Sequence, residues 1–298
     1  MNTDDLLFLI NRSATLYERI DGTFCATQSD ENNRLMNSRL SRWKDIVAPN
    51  DERKFLKRLQ WEGFDIETVY PLLGSVQLTK SNYVPSWTKI IKSYCNAIAD
   101  TECSYSSNVK HDAEAESSFP FEDLLIPFVH IANRKIEEKS PEITHLISDE
   151  VQLTLERALL HRLSSVASPT LLLEFSVFKS FHTSHLATVI AQTTGKSSSG
   201  IYKKFIDSLS RNIGEFFKKY PVLARLLSTT VELWTEFISE FFQRVKKDKK
   251  LIEKQFFRNK SLGLITELTV GISDNHKGGK SVLIATFSSA EKKIVYKP

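Results

Sequence analysis

No run of about 18 apolar residues occurs in this chain of 298, so no membrane-spanning helix is expected. The first residues, Met1-Asn2-Thr3-Asp4-Asp5, lack a basic start and lead into no long apolar core. No signal peptide is therefore expected. Cysteine is scarce: Cys25, Cys95 and Cys103 are scattered, with no zinc-ligand partner at short spacing. That pattern points to a reduced, cytoplasmic protein. Excess charge of one sign is also small. A net +4 permits a phosphate or acidic peptide partner without demanding nucleic acid. No internal repeat is visible and no G-x-G-x-x-G occurs. Gly195-Lys196-Ser197-Ser198-Ser199-Gly200 carries the residue types of a phosphate-binding P-loop in the wrong order.

What the chain does have is core-forming material and helical periodicity. Its hydrophobic fraction of 41% suffices for one large domain or two ordinary ones. Residues 1 to about 50 read as a helical start with a turn at Ile20-Asp21-Gly22. Arg53 to Trp61 places Phe55, Leu56 and Leu59 on one side and cations on the other, and Gly63 ends it. Pro85-Ser86-Trp87 restarts a helix through Ile98. Residues 101–118 are small and polar without periodicity, and read as a linker or loop.

Helices dominate again from residue 119. Phe121 to Ile136 is amphipathic, and Asp149 to Leu163 opens with two acids suited to a helix N-terminus. Ser168-Pro169 reads as the start of a new helix over Leu171-Leu172-Leu173. Ile201 to Lys219 reads as one amphipathic helix, ended by Tyr220-Pro221. From Val222 to about Phe257 the pattern hardly breaks. Near Asn259-Lys260 β-branched and alternating residues take over, and a sheet is expected. The expected fold is α+β, mostly helical with a C-terminal antiparallel β ribbon. Its regions are 1–100, 101–118, 119–258 and 259–298.

The chemistry concentrates in the ribbon. The string Gly271-Ile272-Ser273-Asp274-Asn275-His276-Lys277-Gly278-Gly279-Lys280 reads as a polar turn between strands. Asp274 and His276 share a face in extended chain. Gly278 and Gly279 allow close backbone approach to an anion. Lys297 follows Asp274 by 23 positions (297 − 274), which in a three-stranded ribbon returns it beside the first turn. A glycine turn before a strand that ends in a cation is the layout of a kinase nucleotide lobe. The plain alternative is an ordinary hairpin with a solvated Lys and a capping Asp.

Other candidates read more simply. His182 and His185 have helical spacing for a shared metal, but no third ligand follows. His130 and His161 read as ordinary helix residues. Asp123 and Glu174 lie among apolar residues and suit buried pairing with cations. The run Lys246-Lys247-Asp248-Lys249-Lys250 reads as a solvated helix end or an acidic-peptide contact. Trp234, Phe237, Phe241 and Phe242 read as core.

The string from Asp274 to Val282, followed by Val295-Tyr296-Lys297-Pro298, resembles the dehydratase domain of class II (LanM-type) lanthipeptide synthetases. Matching stretches in the same order are Phe55 to Leu59 with Trp61 and Gly63, Pro120 to Phe128, Ser168 to Phe175, and Tyr220 to Leu227. The resemblance implies a lipid-kinase-like fold that phosphorylates Ser and Thr of a ribosomal precursor peptide with ATP and Mg2+. Phosphate is then eliminated to leave dehydroalanine or dehydrobutyrine. It also implies catalytic roles for Asp274, His276 and Lys297, and cofactor binding by Gly278, Gly279, Lys280 and Lys297. The family's metal-binding residues, catalytic base and zinc cyclase site lie past the position matching Pro298. A fragment inactive by itself is thus expected, with the missing half as a separate chain among its candidate partners. Two other readings remain open at this point: a non-catalytic module that binds a precursor leader peptide, and a degraded product whose strand Ser281 to Phe287 exposes an unpaired edge.

Overall fold

A computed structural model describes residues 1–79, 84–100, 119–182, 199–273, 276–289 and 292–298. These residues cluster into two units, one of Met1–Thr88 with Phe217–Arg225 and one of Lys89–Phe216 with Leu226–Pro298.

The first unit begins with two reciprocally capped helices, α1 (Thr3–Ser13) and α2 (Leu16–Ile20). Asn2 and Asp5 satisfy each other's backbone N–H, and Thr15 and Glu18 do the same. After β1 (Phe24–Ala26) come α3 (Asp30–Val47), α4 (Glu52–Trp61) and α5 (Ile66–Val69), then β2 (Val76–Leu78). Phe55 and Leu59 are buried against Ala48 and flanked by Trp43 and Phe64. Leu56 is 38% exposed, so it lies off the buried stripe on which the sequence placed it. Gly63, at φ +78°, ends α4 as expected. Strands β1 and β2 pair antiparallel, Phe24 opposite Leu78. Three-residue strands this far apart in sequence are too short to show alternation, and the ribbon was not expected.

Arg19 ties this ribbon's neighbourhood to α2. Its guanidinium donates to the carbonyls of Ala14, Leu72 and Gly74. Burial, reinforced by nearby Arg39, lowers its pKa to about 10. Arg225 forks onto Glu18 at 2.6 and 2.9 Å and donates to the Ser13 carbonyl.

The second unit is built from α6 (Trp87–Asp100), α7 (Glu122–Lys139), α8 (Asp149–His182), α9 (Ser199–Arg211), α10 (Ile213–Lys219) and α11 (Pro221–Phe256), apart from the segments assigned to the first unit. A sheet of β3 (Ile265–Thr269), β4 (Leu283–Phe287) and β5 (Lys293–Tyr296) completes it. The chain is thus mostly helical with a small C-terminal antiparallel sheet, as expected. Trp234, Phe237, Phe241 and Phe242 are each at most 2% exposed and form core along α11.

Three local expectations fail for identifiable reasons. No new helix starts at Ser168-Pro169, because α8 runs through Pro169. Buried Leu155, Leu159, Leu163, Ala167 and Leu171 recur every four residues across it, and this continuous buried face outweighs one lost backbone bond. Leu172 and Leu173 are exposed. Residues 201–219 are not one helix; Asn212 separates α9 from α10. Its side-chain amide donates to the Ser208 carbonyl, the local competition that makes Asn a weak helix former. Finally, Ser281 to Phe287 does not expose an edge: β4 is the central strand, paired on both sides.

Candidate functional site

Strand register decides where the C-terminal residues come together. In β4 and β5, Leu283 pairs with Tyr296. In β3 and β4, Thr269 pairs with Ile284. Lys297 therefore emerges at the end of the sheet where residues 270–282 connect β3 to β4. It is exposed there. Asp274 and Asn275 lie outside the described residues, as do Cys103, His185 and the 101–118 stretch.

The turn itself is held by its own backbone. The His276 N–H donates to the Lys280 carbonyl at 2.7 Å, and the Gly279 N–H donates to the His276 carbonyl at 2.9 Å. Closing so small a loop requires left-handed backbone at Gly278 (φ +77°) and Gly279 (φ +72°), which only glycine adopts at little cost. A Cβ on Gly278 would meet nothing within 4 Å, so an approaching ligand finds open space there. Ser273 Oγ accepts from the Val282 N–H at 3.0 Å, tying the start of the loop to its end.

Two helices brace the turn from outside. From α8, Arg162 Nη1 donates to the Gly279 carbonyl at 3.0 Å, and its guanidinium lies 4.9 Å from the Trp234 ring centroid. From α11, Glu240 binds Lys280 Nζ at 2.5 Å and also pairs with Arg244. The hydrogen bond from Lys280 holds the Glu240 carboxyl below its ordinary range. Arg244 in turn lies 5.5 Å over the ring of Tyr296, the last residue of β5. Burial pushes the Tyr296 phenol up.

Of the residues named from sequence, His276, Gly278, Gly279, Lys280 and Lys297 lie at one end of the sheet. No hydrogen bond or ion pair joins the side chains of His276 and Lys297 among the described residues. Lys280 is engaged by Glu240. Asp123 accepts a hydrogen bond from Tyr202 at 3.3 Å, a hydroxyl partner rather than a cation. His182 stacks on Phe178 within α8.

Arg162 and Glu240 were missed. Each carried a readable signal. Arg162 sits beside Leu163 and three residues after Leu159, at the flank of a buried stripe. Glu240 stands between Phe237 and Phe241, a carboxylate inside an aromatic one.

Between α8, α11 and the turn lies an open cleft of about 540 Å³, lined by His161, Arg162, Leu233, Gly271, Ser273 and Gly279 among others.

Residues 220–298 match a family model described as a domain of unknown function, DUF4135. That domain is found in LanM-type lanthipeptide synthetases. No curated protein matches the chain significantly.

Proposed function

We propose that the segment from Tyr220 onward is the phosphate-side edge of a nucleotide lobe in a LanM-type dehydratase. The enzyme would transfer the γ-phosphoryl group of ATP to Ser and Thr of a ribosomal precursor peptide, then eliminate phosphate to form dehydroalanine and dehydrobutyrine. The observation that carries this reading is that the matched segment coincides with α11, the glycine turn and all three strands. Supporting it, Lys297 emerges at the turn end of the sheet, and Gly278 leaves open space for a ligand. In this reading Lys297 holds phosphate oxygens in both steps. By the resemblance, Gly278, Gly279 and Lys280 bind the polyphosphate, and Asp274 and His276 take catalytic roles.

The residues present suit a polyphosphate better than its metal. Among the described residues, no three His, Cys, Asp or Glu side chains come together. No step is therefore assigned to Mg2+ or zinc. In this reading the described residues supply the phosphate-gripping side of the site.

A fluorescent ATP analogue titrated into the full chain tests the nucleotide reading. Binding should weaken about tenfold in Lys297→Ala, the loss expected for one hydrogen bond between charged groups. Equal binding by the variant and wild type removes Lys297 from the site.

A further inference from the structure

Positive charge gathers at one end of α11. Residues 244–260 hold eight cations and two acids, a net of +6 (8 − 2), against +4 for the whole chain. A helix C-terminus favours cations only in its last turn. That accounts for Lys254 but not for Lys246 to Lys250, two turns earlier. Lys246, Lys250 and Lys254 follow one another at four-residue steps, a spacing at which like charges repel. Lys246 meets Glu142 at 3.0 Å. Lys247, Lys249, Lys250 and Lys254 are exposed and pair with no carboxylate among the described residues. The charge continues to the start of β5, where Lys292 Nζ donates to the Phe256 carbonyl at 2.9 Å and Lys293 is exposed. Between this part of α11 and the sheet lies a cavity of about 210 Å³, lined chiefly by Phe241, Val245, Ile252, Phe287 and Ile294. Val295 also lines it and is 52% exposed, so the cavity opens to solvent there. Lys247 and Lys249 adjoin Asp248, the carboxylate on the lining.

We propose that this corner docks an acidic peptide segment of another chain, its carboxylates against the lysines and one bulky apolar side chain in the cavity. A volume of about 210 Å³ falls below the usual span for whole small-ligand sites, about 300–1,000 Å³, and suits a single side chain. Asp248 repels a carboxylate from the lining, so the inserted group is apolar. An apolar anchor in a pocket with polar contacts around it is a common mode of peptide capture. A lipid bilayer is too broad to enter such a recess. Lysines, as point charges, lack the planar fork that reads nucleic-acid bases. The inference goes beyond the nucleotide reading and rests on this corner's own residues.

Fluorescence anisotropy of the full chain with a labelled synthetic peptide tests this. The probe is a short peptide of Glu, Asp, Ser and Gly with one central Phe. Wild type should bind it at low ionic strength and release it as salt rises. A probe with Gly in place of Phe should bind about tenfold more weakly or worse, as for an aromatic side chain left unburied. The double variant Lys247→Glu, Lys249→Glu changes two exposed residues, so it should melt like wild type and bind about tenfold more weakly. Val295→Asp puts a carboxylate at the cavity's open side, and there the Phe and Gly probes should bind alike. No binding by wild type overturns the proposal, as does wild-type affinity in the double variant or an undiminished Phe preference in Val295→Asp. Tighter binding to phosphatidylserine vesicles or to a poly-uridine RNA than to the probe also overturns it, in favour of a membrane or a nucleic acid. Failure of the nucleotide reading shows separately, as no ATP-analogue binding with the Phe-dependent peptide binding intact.

Discussion

Lys280 Nζ lies 2.5 Å from Glu240 Oε2, so the turn's most obvious phosphate ligand is already held by a carboxylate on α11. The pair is partly exposed, with side chains 33% and 28% accessible. Such a bridge positions more than it stabilises. Glu240 has a second partner in Arg244, so it stays paired if Lys280 turns toward a phosphate.

Glu240→Gln is therefore expected to loosen the turn rather than unfold the protein. Hydrogen exchange at residues 276–282 should speed up, while exchange along α11 stays unchanged. The effect depends on pH in a definite direction. The Lys280 hydrogen bond holds the Glu240 carboxyl below its ordinary 4.5. Its contribution is thus full above 4.5 and is lost as pH falls through the lower folded value. The exchange difference between wild type and variant should persist at neutral pH and close as the solution is acidified past that value.

Gly74 and Gly22 separate steric overlap from backbone strain. Gly22 sits at φ +83° with nothing near a would-be Cβ, so Gly22→Ala should cost about 1–2 kcal/mol from the left-handed backbone alone. Gly74 has ordinary φ, but its Cβ would overlap the side-chain amide of Asn32. Asn32 is 3% exposed, and its amide serves the Thr27 carbonyl and the Ser75 N–H. Displacing it strands buried polar groups, at about 1–3 kcal/mol, on top of about 1–3 kcal/mol for overpacking. Gly74→Ala should be the more damaging variant in urea unfolding; the reverse order would show that Asn32 moves aside freely.

The sheet and its glycine turn were legible because alternation, β-branching and paired glycines are local signals. The braces were not, because their partners are distant in sequence: Glu240 is 40 residues from Lys280, and Arg162 is 117 from Gly279. Punctuation residues misled where burial ruled. Ser168-Pro169 has the form of a helix start, yet a stripe repeating every four residues carries α8 past it. At Asn212 the opposite holds: apolar spacing promised one helix, and a side-chain amide bonded to its own backbone divided it.

Pro169 inside α8 yields a prediction of gain. A proline in a helix interior costs up to about 3 kcal/mol relative to alanine. Pro169 is exposed, so its ring fills no core space. Pro169→Ala should raise stability by about 1–3 kcal/mol, read as a higher urea midpoint at unchanged slope. A fall in stability would mean that the proline sets a bend in α8 that its packing requires.

The Glu18–Arg225 fork should carry more free energy than any ion pair around the glycine turn. Both side chains are about one-fifth exposed, at 21% and 18%, and two hydrogen bonds join them. Burial by itself would raise the Glu18 pKa. Hydrogen bonds from Arg225 and Thr15 outweigh it and hold the carboxyl below its ordinary 4.5. Arg225→Met leaves that carboxylate partly buried with only its Thr15 hydrogen bonds and no counter-charge, and should cost about 2–3 kcal/mol. Adding Glu18→Gln removes the stranded charge, so the double variant should lose less than the sum of the singles. The pair's contribution is full above 4.5 and fades as pH falls through the lower folded value. Urea midpoints of wild type and Arg225→Met should accordingly converge on acidification, and a gap that stays constant with pH would show that Arg225 acts through its bond to the Ser13 carbonyl alone.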